Sequence, residues 1–150
     1  MIALIDADVL VYRIGFSTQD VDLNIAVWRL KTVIENILEV TGATEYRCFL
    51  TSEDKSNFRF EVDPNYKGDR KLEKPKHYHA LRSHLQKQYK AEVIFGMEAD
   101  DKLGIEQTTN TIICSNDKDM RQIPGLHYNF VKDELFEVTP LEGEQFLYKQ

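Results

Sequence analysis

Apolar and polar residues alternate along this chain in blocks that predict strands followed by helices. Residues 2–5, IALI, form a short apolar run that is typical of a strand buried on both faces of a parallel sheet. Helical spacing of apolar residues follows, and Gly42 predicts the end of that helix. The apolar positions with this spacing are Leu23, Val27, Leu30, Ile34, Ile37 and Leu38. Trp28 lies in the same helix and is predicted to pack in the core.

The alternation continues to the end of the chain and predicts an α/β fold with a mostly parallel sheet. Residues 53–76 are polar, contain two prolines and are predicted to be mainly a loop. The other predicted elements are strands at 46–50, 92–95 and 111–114, helices at 77–89 and 98–107, a hairpin with strands at 127–131 and 135–138, and a helix after residue 140.

Acidic residues follow three of the predicted strands. They are Asp6 and Asp8 after the first strand, Glu98, Asp100 and Asp101 after the third, and Asp117 and Asp119 after the fourth. The carboxyl ends of parallel strands meet at one edge of a sheet, where open α/β folds bind their ligands. We therefore expect all these carboxylates to gather at that edge.

Neighbouring carboxylates raise one another's pKa values unless a cation compensates their charge. Oxygen ligands suit Mg²⁺ or Mn²⁺, and two such ions roughly 4 Å apart can activate a water and stabilise the leaving oxygen of a phosphodiester. The pattern therefore predicts a site for these ions. Helical geometry further predicts that Glu98 and Asp101 share a face while Asp100 points away from it.

Each acidic cluster also has a simpler explanation. Asp6 or Asp8 could cap the turn after the strand, and Asp117 could be the N-cap of a helix. Acids at residues 98–101 would interact favourably with a helix dipole. The coincidence of three clusters on one predicted edge favours the metal site.

The net charge of −6 argues against a simple electrostatic binder of nucleic acid. Residues 55–76, however, carry seven lysines and arginines against four acids, a net charge of +3. Within this segment Tyr66 precedes Lys67, and Arg70 follows, so one aromatic ring and two cations could contact one nucleotide. A solvated loop is the alternative. A basic loop beside an acidic pocket is what a metal-dependent phosphodiesterase needs.

Taken in order, these motifs resemble the 5′-nuclease family of 5′→3′ exonucleases and flap endonucleases, and bacteriophage exonucleases most closely. The matching segments run along nearly the whole chain. They are LIDADVLVYR (4–13), NFR (57–59), YKGDRK (66–71), GMEADDKLGI (96–105) and SNDKDMRQIPG (115–125).

The resemblance implies a PIN-like three-layer fold: a twisted, mostly parallel central sheet with helices on both faces. It implies one catalytic core over residues 1–150, with a basic loop or arch at 53–90. The implied ligands of two Mg²⁺ or Mn²⁺ ions are Asp6, Glu98, Asp100, Asp101, Asp117 and Asp119, with Asp8 and Asp54 as further candidates. Lys67 and Arg70 would face the scissile phosphate, and the implied contacts to DNA ends, flaps or junctions are Arg59, Tyr66, Lys67, Arg70 and Lys71.

Two departures from the family pattern bear on activity. Many members have an aspartate six residues before the Phe of the FR pair, and here that position is Ser52, so Glu53 or Asp54 would have to substitute. The sequence also stops at FLYKQ, before the family's final aspartate group and helix-hairpin-helix element. We therefore expect the second ion site to be incomplete and DNA affinity to be weak.

Two other functions remain open. Asp6-Ala-Asp8 resembles the opening motif of haloacid-dehalogenase-like phosphatases, in which the first aspartate is the nucleophile. The other alternative is a core that binds DNA or a protein without catalysis.

No apolar run approaches the ~20 residues of a membrane span and no signal peptide is evident, which predicts a cytoplasmic protein of a bacterium or phage-infected cell. Cys48 and Cys114 are predicted to be buried thiols.

Overall fold

A computed structural model describes residues 1–53 and 74–141. Its elements are β1 (Ile2–Asp6), α1 (Ala7–Ser17), α2 (Leu23–Thr41), β2 (Glu45–Thr51), α3 (Tyr78–Gln88), β3 (Glu92–Ile94), α4 (Ala99–Glu106), β4 (Thr111–Cys114), a 3₁₀ helix (Lys118–Gln122), β5 (Gly125–Asn129) and β6 (Glu134–Val138).

The six strands form one sheet of order β3-β2-β1-β4-β5-β6. All neighbouring pairs are parallel except β5 and β6, which form an antiparallel hairpin. The chain moves outward from β1 to β3 and then returns to β4 on the other side of β1. This reversal makes the carboxyl ends of β1 and β4 the switch point of the sheet, which is where such folds bind ligands.

Alternating residues of the central strands face two separate cores, as the pleat of a strand requires. On β1, Ile5 packs in the cluster that contains residues of α1, α2 and α3. Leu4 points the other way and packs with Phe49 and Leu103, the latter from α4. Three helices thus cover one face and α4 covers the other, which confirms the predicted three-layer, mostly parallel α/β fold.

Helix α1 was not predicted. Its residues include Val9, Val11 and Ile14, whose β-branched side chains favour strands when read alone. Asp6 caps the helix by accepting a hydrogen bond from the backbone N–H of Val9 at 3.4 Å. Gly15 lets the helix pack closely, because a Cβ atom there would lie 2.5 Å from Cγ of Pro75. The local cap, this distant contact and the burial of one helical face together outweigh the strand preference. The buried residues of that face are Ala7, Leu10, Val11 and Ile14.

The prediction that Trp28 packs in the core is wrong, since its side chain is 64% exposed. The buried stripe of α2 is formed by Ala26, Leu30, Ile34 and Ile37. At 3.6 residues per turn, a residue two positions from this stripe points to the opposite side of the helix.

The predicted burial of both cysteines is confirmed, as Cys48 and Cys114 are fully buried free thiols. None of the helices in residues 1–53 and 74–141 is long and apolar enough to span a bilayer.

Candidate functional site

Asp6 and Ser115 meet across the switch point of the sheet. Asp6 is the last residue of β1, and Ser115 follows the last residue of β4. The Ser115 hydroxyl donates a hydrogen bond of 3.0 Å to Oδ2 of Asp6 and accepts one of 3.1 Å from the backbone N–H of Asp117. Asp6 is only 4% exposed. The serine therefore fixes the first and third acidic clusters to each other, a role that sequence reasoning did not anticipate.

Asp100 of α4 brings the second cluster to the same place. Its carboxyl group lies within hydrogen-bonding distance of that of Asp117 and is close enough to Asp6 to affect its charge. Asp101 is exposed, and its backbone N–H donates to Oδ1 of Asp100 at 2.9 Å. Asp100 therefore contacts Asp117. Glu98, whose backbone is extended at the N-cap of α4, lies outside the helical geometry on which the predicted shared face of Glu98 and Asp101 rested.

The surroundings of Asp6 and Asp100 disfavour the ionised form of both carboxyl groups at this acidic edge of the sheet. Burial, the charge of Asp8 and, more weakly, that of Asp100 raise the pKa of Asp6 to about 8, against the opposing effect of the Ser115 hydrogen bond. Burial and the charges of Glu98, Asp101 and Asp117 raise the pKa of Asp100 to about 7. Two ordinary aspartates would have pKa values near 3.8. This edge therefore holds protons, or a cation, at neutral pH.

The acidic edge fits a hard divalent cation in chemistry, although its side chains do not form a closed cage. Within residues 1–53 and 74–141, no three His, Cys, Asp or Glu side chains converge so as to hold an ion alone. Mg²⁺ usually takes one or two carboxylates and completes its octahedron with waters and substrate phosphates. Asp6, Asp100 and Asp117 are the residues placed to supply such carboxylates.

Asp119 and Glu98 stand at the rim of this edge. Asp117 is the N-cap of the 3₁₀ helix, and its Oδ1 accepts from the backbone N–H of Asp119 at 2.9 Å. Asp119 itself is exposed, whereas Glu98 is half-buried at the N-cap of α4 and raises the pKa of Asp100 through its charge. The simpler explanation of Asp6 and Asp117 as caps is thus correct for both, but it leaves each with further carboxylate lone pairs for a cation.

Asp8 is held by protein groups. Its Oδ1 accepts from the backbone N–H of Thr51 at 3.0 Å, and its Oδ2 accepts from the Thr51 hydroxyl. Nη1 of Arg82, which is 6% exposed, lies 3.8 Å from the same Oδ1. Asp8 therefore links the start of α1 to the end of β2 and to α3, and a role as a metal ligand would require it to exchange these contacts.

Glu53, a proposed substitute for the acid missing at Ser52, faces cations. Its carboxylate lies 3.0 Å from Nζ of Lys74 and 3.5 Å from Nε of Arg82. Partial burial acts to raise the pKa of Glu53, but the hydrogen bond from Lys74 and the charge of Arg82 outweigh it and lower that pKa. Glu53 is thus occupied by ion pairs on the side of α3.

Six of the predicted residues lie outside the described ranges. They are Asp54, Arg59, Tyr66, Lys67, Arg70 and Lys71. Their predicted roles in DNA binding and transition-state stabilisation stay predictions.

A small polar cleft lies beside Asp117, between the 3₁₀ helix and the β5–β6 hairpin. Its volume is about 80 Å³, and Lys118, Arg121 and Lys132 line it. Arg121 is held over the ring of Phe136, 4.5 Å from the ring centroid. These three cations were not singled out from the sequence, because they are scattered over two elements that only the fold brings together. A larger groove of about 780 Å³ between α1 and α2 is mainly apolar and lies away from the acidic edge.

Known proteins match this chain in structure, whereas comparison by sequence finds no match. No protein-family model and no curated protein matches this chain. The zinc-bound 5′-exonuclease of bacteriophage T5 matches it with a TM-score of 0.57 and 18% identity, over 91% of this chain and 57% of the T5 chain. A bacteriophage T5 flap endonuclease in a pseudo-enzyme–product complex with DNA and metal ions matches with a TM-score of 0.60, 17% identity and the same coverage.

The chain thus spans 57% of the length of these T5 proteins. At identities of 17% and 18% the likeness is one of fold. The resemblance that the sequence motifs indicated is confirmed at that level: this chain has the PIN-like fold of the phage 5′-nucleases.

Proposed function

We propose that this chain is the catalytic core of a divalent-metal-dependent nuclease that hydrolyses DNA phosphodiesters at 5′ ends or flaps. One observation carries the proposal. Asp6, Asp100 and Asp117 come from three separate segments and gather at the switch point with raised carboxyl pKa values at Asp6 and Asp100. Neighbouring carboxyl groups whose pKa values are raised in this way are typical of a functional site.

A divalent cation, when bound, supplies Lewis-acid polarisation of a phosphodiester and lowers the pKa of water. The residues of this chain would supply and orient the carboxylates that bind this ion. Asp6 and Asp100 release their protons and provide negative charge, while Ser115 keeps Oδ2 of Asp6 in place through its 3.0 Å hydrogen bond. Asp117 is held by its contact with the backbone of Asp119. Lys67 and Arg70, by the family resemblance, would steady the charge that develops on the phosphate.

The first experiment incubates the purified chain with a 5′-flap DNA and a single-stranded DNA, each labelled at both ends. Reactions contain Mg²⁺, Mn²⁺ or EDTA. We expect cleavage near the 5′ end with either metal and none with EDTA. Metal binding without cleavage, in a folded chain, would favour the non-catalytic core instead.

Asp117→Asn is expected to reduce cleavage by more than about a hundredfold, since even residues that only orient metal ligands cost 10–100-fold when changed. Asparagine keeps the capping contact with the Asp119 backbone, so the fold should persist. The exposed N-cap Asp22 offers a matched control, and Asp22→Asn should retain full activity. Equal rates for the two variants would contradict the assignment of Asp117.

The cleft beside Asp117 is expected to contact a DNA phosphate. In EDTA, the variant with Lys118→Ala and Lys132→Ala should bind single-stranded DNA several-fold more weakly. Its salt slope should be smaller by about 1.4, because each phosphate contact on a single strand accounts for about 0.7. A control variant with Lys31→Ala and Lys87→Ala changes two lysines on the outer helices. If both variants show the same salt dependence as the unmodified chain, DNA does not pass over this cleft.

The phosphatase alternative is not favoured. The T5 proteins that match this chain in structure are 5′-nucleases, and Asp6 is only 4% exposed, which hinders attack by its carboxylate on a substrate. Its pKa of about 8 means that, without a cation, Asp6 is mostly protonated at neutral pH and a poor nucleophile. Release of phosphate from a simple monoester would reverse this judgement.

A further inference from the structure

The hydroxyl of Thr51 joins two acidic clusters that are far apart in sequence. Thr51 is the last residue of β2, and its Oγ1 donates to Oδ2 of Asp8 in the first turn of α1. The same Oγ1 accepts a hydrogen bond of 2.9 Å from the backbone N–H of Ala99, the first residue of α4. A hydroxyl has one proton to donate, so these two bonds fix its orientation completely.

The hydrogen bond from Ala99 to Thr51 can affect the acidic edge, because Ala99 lies next to two of its acids. Ala99 is fully buried and stands between Glu98 and Asp100 in the chain. The first N–H groups of a helix have no partner inside the helix and need one from elsewhere. The N-cap residue Glu98 makes no side-chain capping bond. The Thr51 hydroxyl therefore serves as the acceptor for the start of α4.

The donor side of the hydroxyl is held equally firmly. The Thr51 backbone N–H also donates to Asp8, at 3.0 Å, so backbone and side chain grip one carboxylate together. Hydrogen bonds to an ionised acceptor are stronger than those between neutral groups. Asp8 in turn directly follows Ala7 and Asp6 in the chain, so a shift at Thr51 would move Asp100 relative to Asp6.

We propose that Thr51 is a positioning residue, whose hydroxyl sets the distance between the acids of α4 and Asp6 and thereby the affinity for the metal ion. The effect on metal affinity rests on the proposed function. The effect on the start of α4 does not, and the experiment measures the two separately.

The test compares three variants with the unmodified chain. Thr51→Val removes the hydroxyl and keeps the shape, whereas Thr51→Ser keeps the hydroxyl. Thr41→Val is the matched control, because the Thr41 hydroxyl makes the same kind of pair: it donates to the carbonyl of Ile37 at 2.7 Å and accepts from the N–H of Ala43 at 3.3 Å. Thr41 precedes β2 and so lies at the opposite edge of the sheet from the acids.

Two quantities are measured: the hydrogen-exchange rate of the Ala99 amide by NMR, and the dissociation constant for Mn²⁺ by electron paramagnetic resonance. We expect Thr51→Val to speed Ala99 exchange and to raise the Mn²⁺ dissociation constant, each by about tenfold. Thr51→Ser and Thr41→Val should change the Mn²⁺ constant by less than twofold.

Each result decides the proposal. Unchanged exchange and unchanged Mn²⁺ affinity in Thr51→Val would overturn it, as would an equal loss of affinity in Thr41→Val. If the unmodified chain binds no Mn²⁺, the proposed function fails, and Ala99 exchange alone then decides whether Thr51 positions α4. If Thr51→Val does not fold, exchange of Ala99 in the unmodified chain at the rate of an open peptide would still refute the contact.

Discussion

Asp6→Asn is expected to abolish metal-dependent cleavage while making the metal-free fold more stable at pH 8. The two effects have one cause, which is the burial of a carboxyl group that needs a cation. A merely structural aspartate would lose stability on this change, and a surface aspartate would show neither effect. The opposite directions of the two effects make this change diagnostic of a metal site.

The loss of activity follows from the charge. Bound metal ions contribute several kcal/mol of transition-state stabilisation, and about 1.4 kcal/mol corresponds to a factor of ten in rate, so we expect a loss of about a thousandfold. Asparagine still accepts from the Val9 N–H, and Ser115 can still bond to its side chain, since the hydroxyl has free lone pairs. The packing around position 6 should therefore persist.

The gain in stability follows from linkage. The pKa of Asp6 is about 8 in the fold and near 3.8 otherwise, so the folded state binds more protons than the unfolded state between these values. Its contribution to stability is fully present below about pH 4 and is lost as pH rises through 8. Asparagine has no such dependence. We expect a gain of about 2 kcal/mol at pH 8, smaller than the full shift implies, because water entry and relaxation soften the cost of burial.

Urea unfolding of Asp6→Asn and of the control Asp22→Asn, at pH 4 and pH 8 in EDTA, measures the stability effect. The difference between Asp6→Asn and the unmodified chain should be near zero at pH 4 and largest at pH 8. Cleavage assays on the same preparations give the activity effect. A variant that is less stable at pH 8 would show that the Asp6 carboxylate is already compensated by the protein.

The sequence was sufficient to place the acidic edge but not to orient it. Strands end where apolar runs end, so the positions of Asp6 and Asp117 follow from a pattern that local residues determine. The contact of Asp100 with Asp117 depends on where α4 begins. The backbone N–H of Ala99 at that start is bonded to Thr51, which is 48 residues from Ala99 and 43 residues from Asp8. No periodicity in the sequence contains such a contact.

Helix α1 and Trp28 also show that contacts between distant segments, which the sequence pattern does not contain, decide local structure and burial. Several residues of α1 favour a strand locally. The cap at Asp6, the close approach of Pro75 to Gly15 and the burial of one face of the helix make the helix preferable. Trp28 has a large apolar side chain of the kind that usually packs in a core, yet the buried stripe of α2 lies on the other side of the helix. Composition predicts how much of a helix is apolar, whereas the partner elements decide which face is buried.

In the unmodified chain, Mg²⁺ or Mn²⁺ is expected to stabilise the fold at pH 8 and to release protons as it binds. Without metal, stability should decline as pH rises from about 4 to about 8, because the raised pKa values of Asp6 and Asp100 favour the protonated fold. A cation replaces those protons. At a hundred times its dissociation constant, a ligand of the folded state adds about 2.7 kcal/mol, or roughly 5 to 10 °C in melting temperature for a chain of this size.

Proton release gives the sharper measurement, since many ions stabilise proteins without displacing protons. With pKa values of about 8 and about 7, Asp6 and Asp100 hold about 0.9 and about 0.5 of a proton at pH 7, so metal binding should release roughly 1.4 protons per chain. Calorimetric titrations in two buffers with different ionisation enthalpies measure this number directly. Potassium chloride at equal ionic strength should produce no such release, and Asp6→Asn should release about half as much or less. A binding enthalpy that is the same in both buffers would mean that the ion does not enter the acidic edge at the switch point of the sheet, and a metal site would then have to be sought elsewhere in the chain.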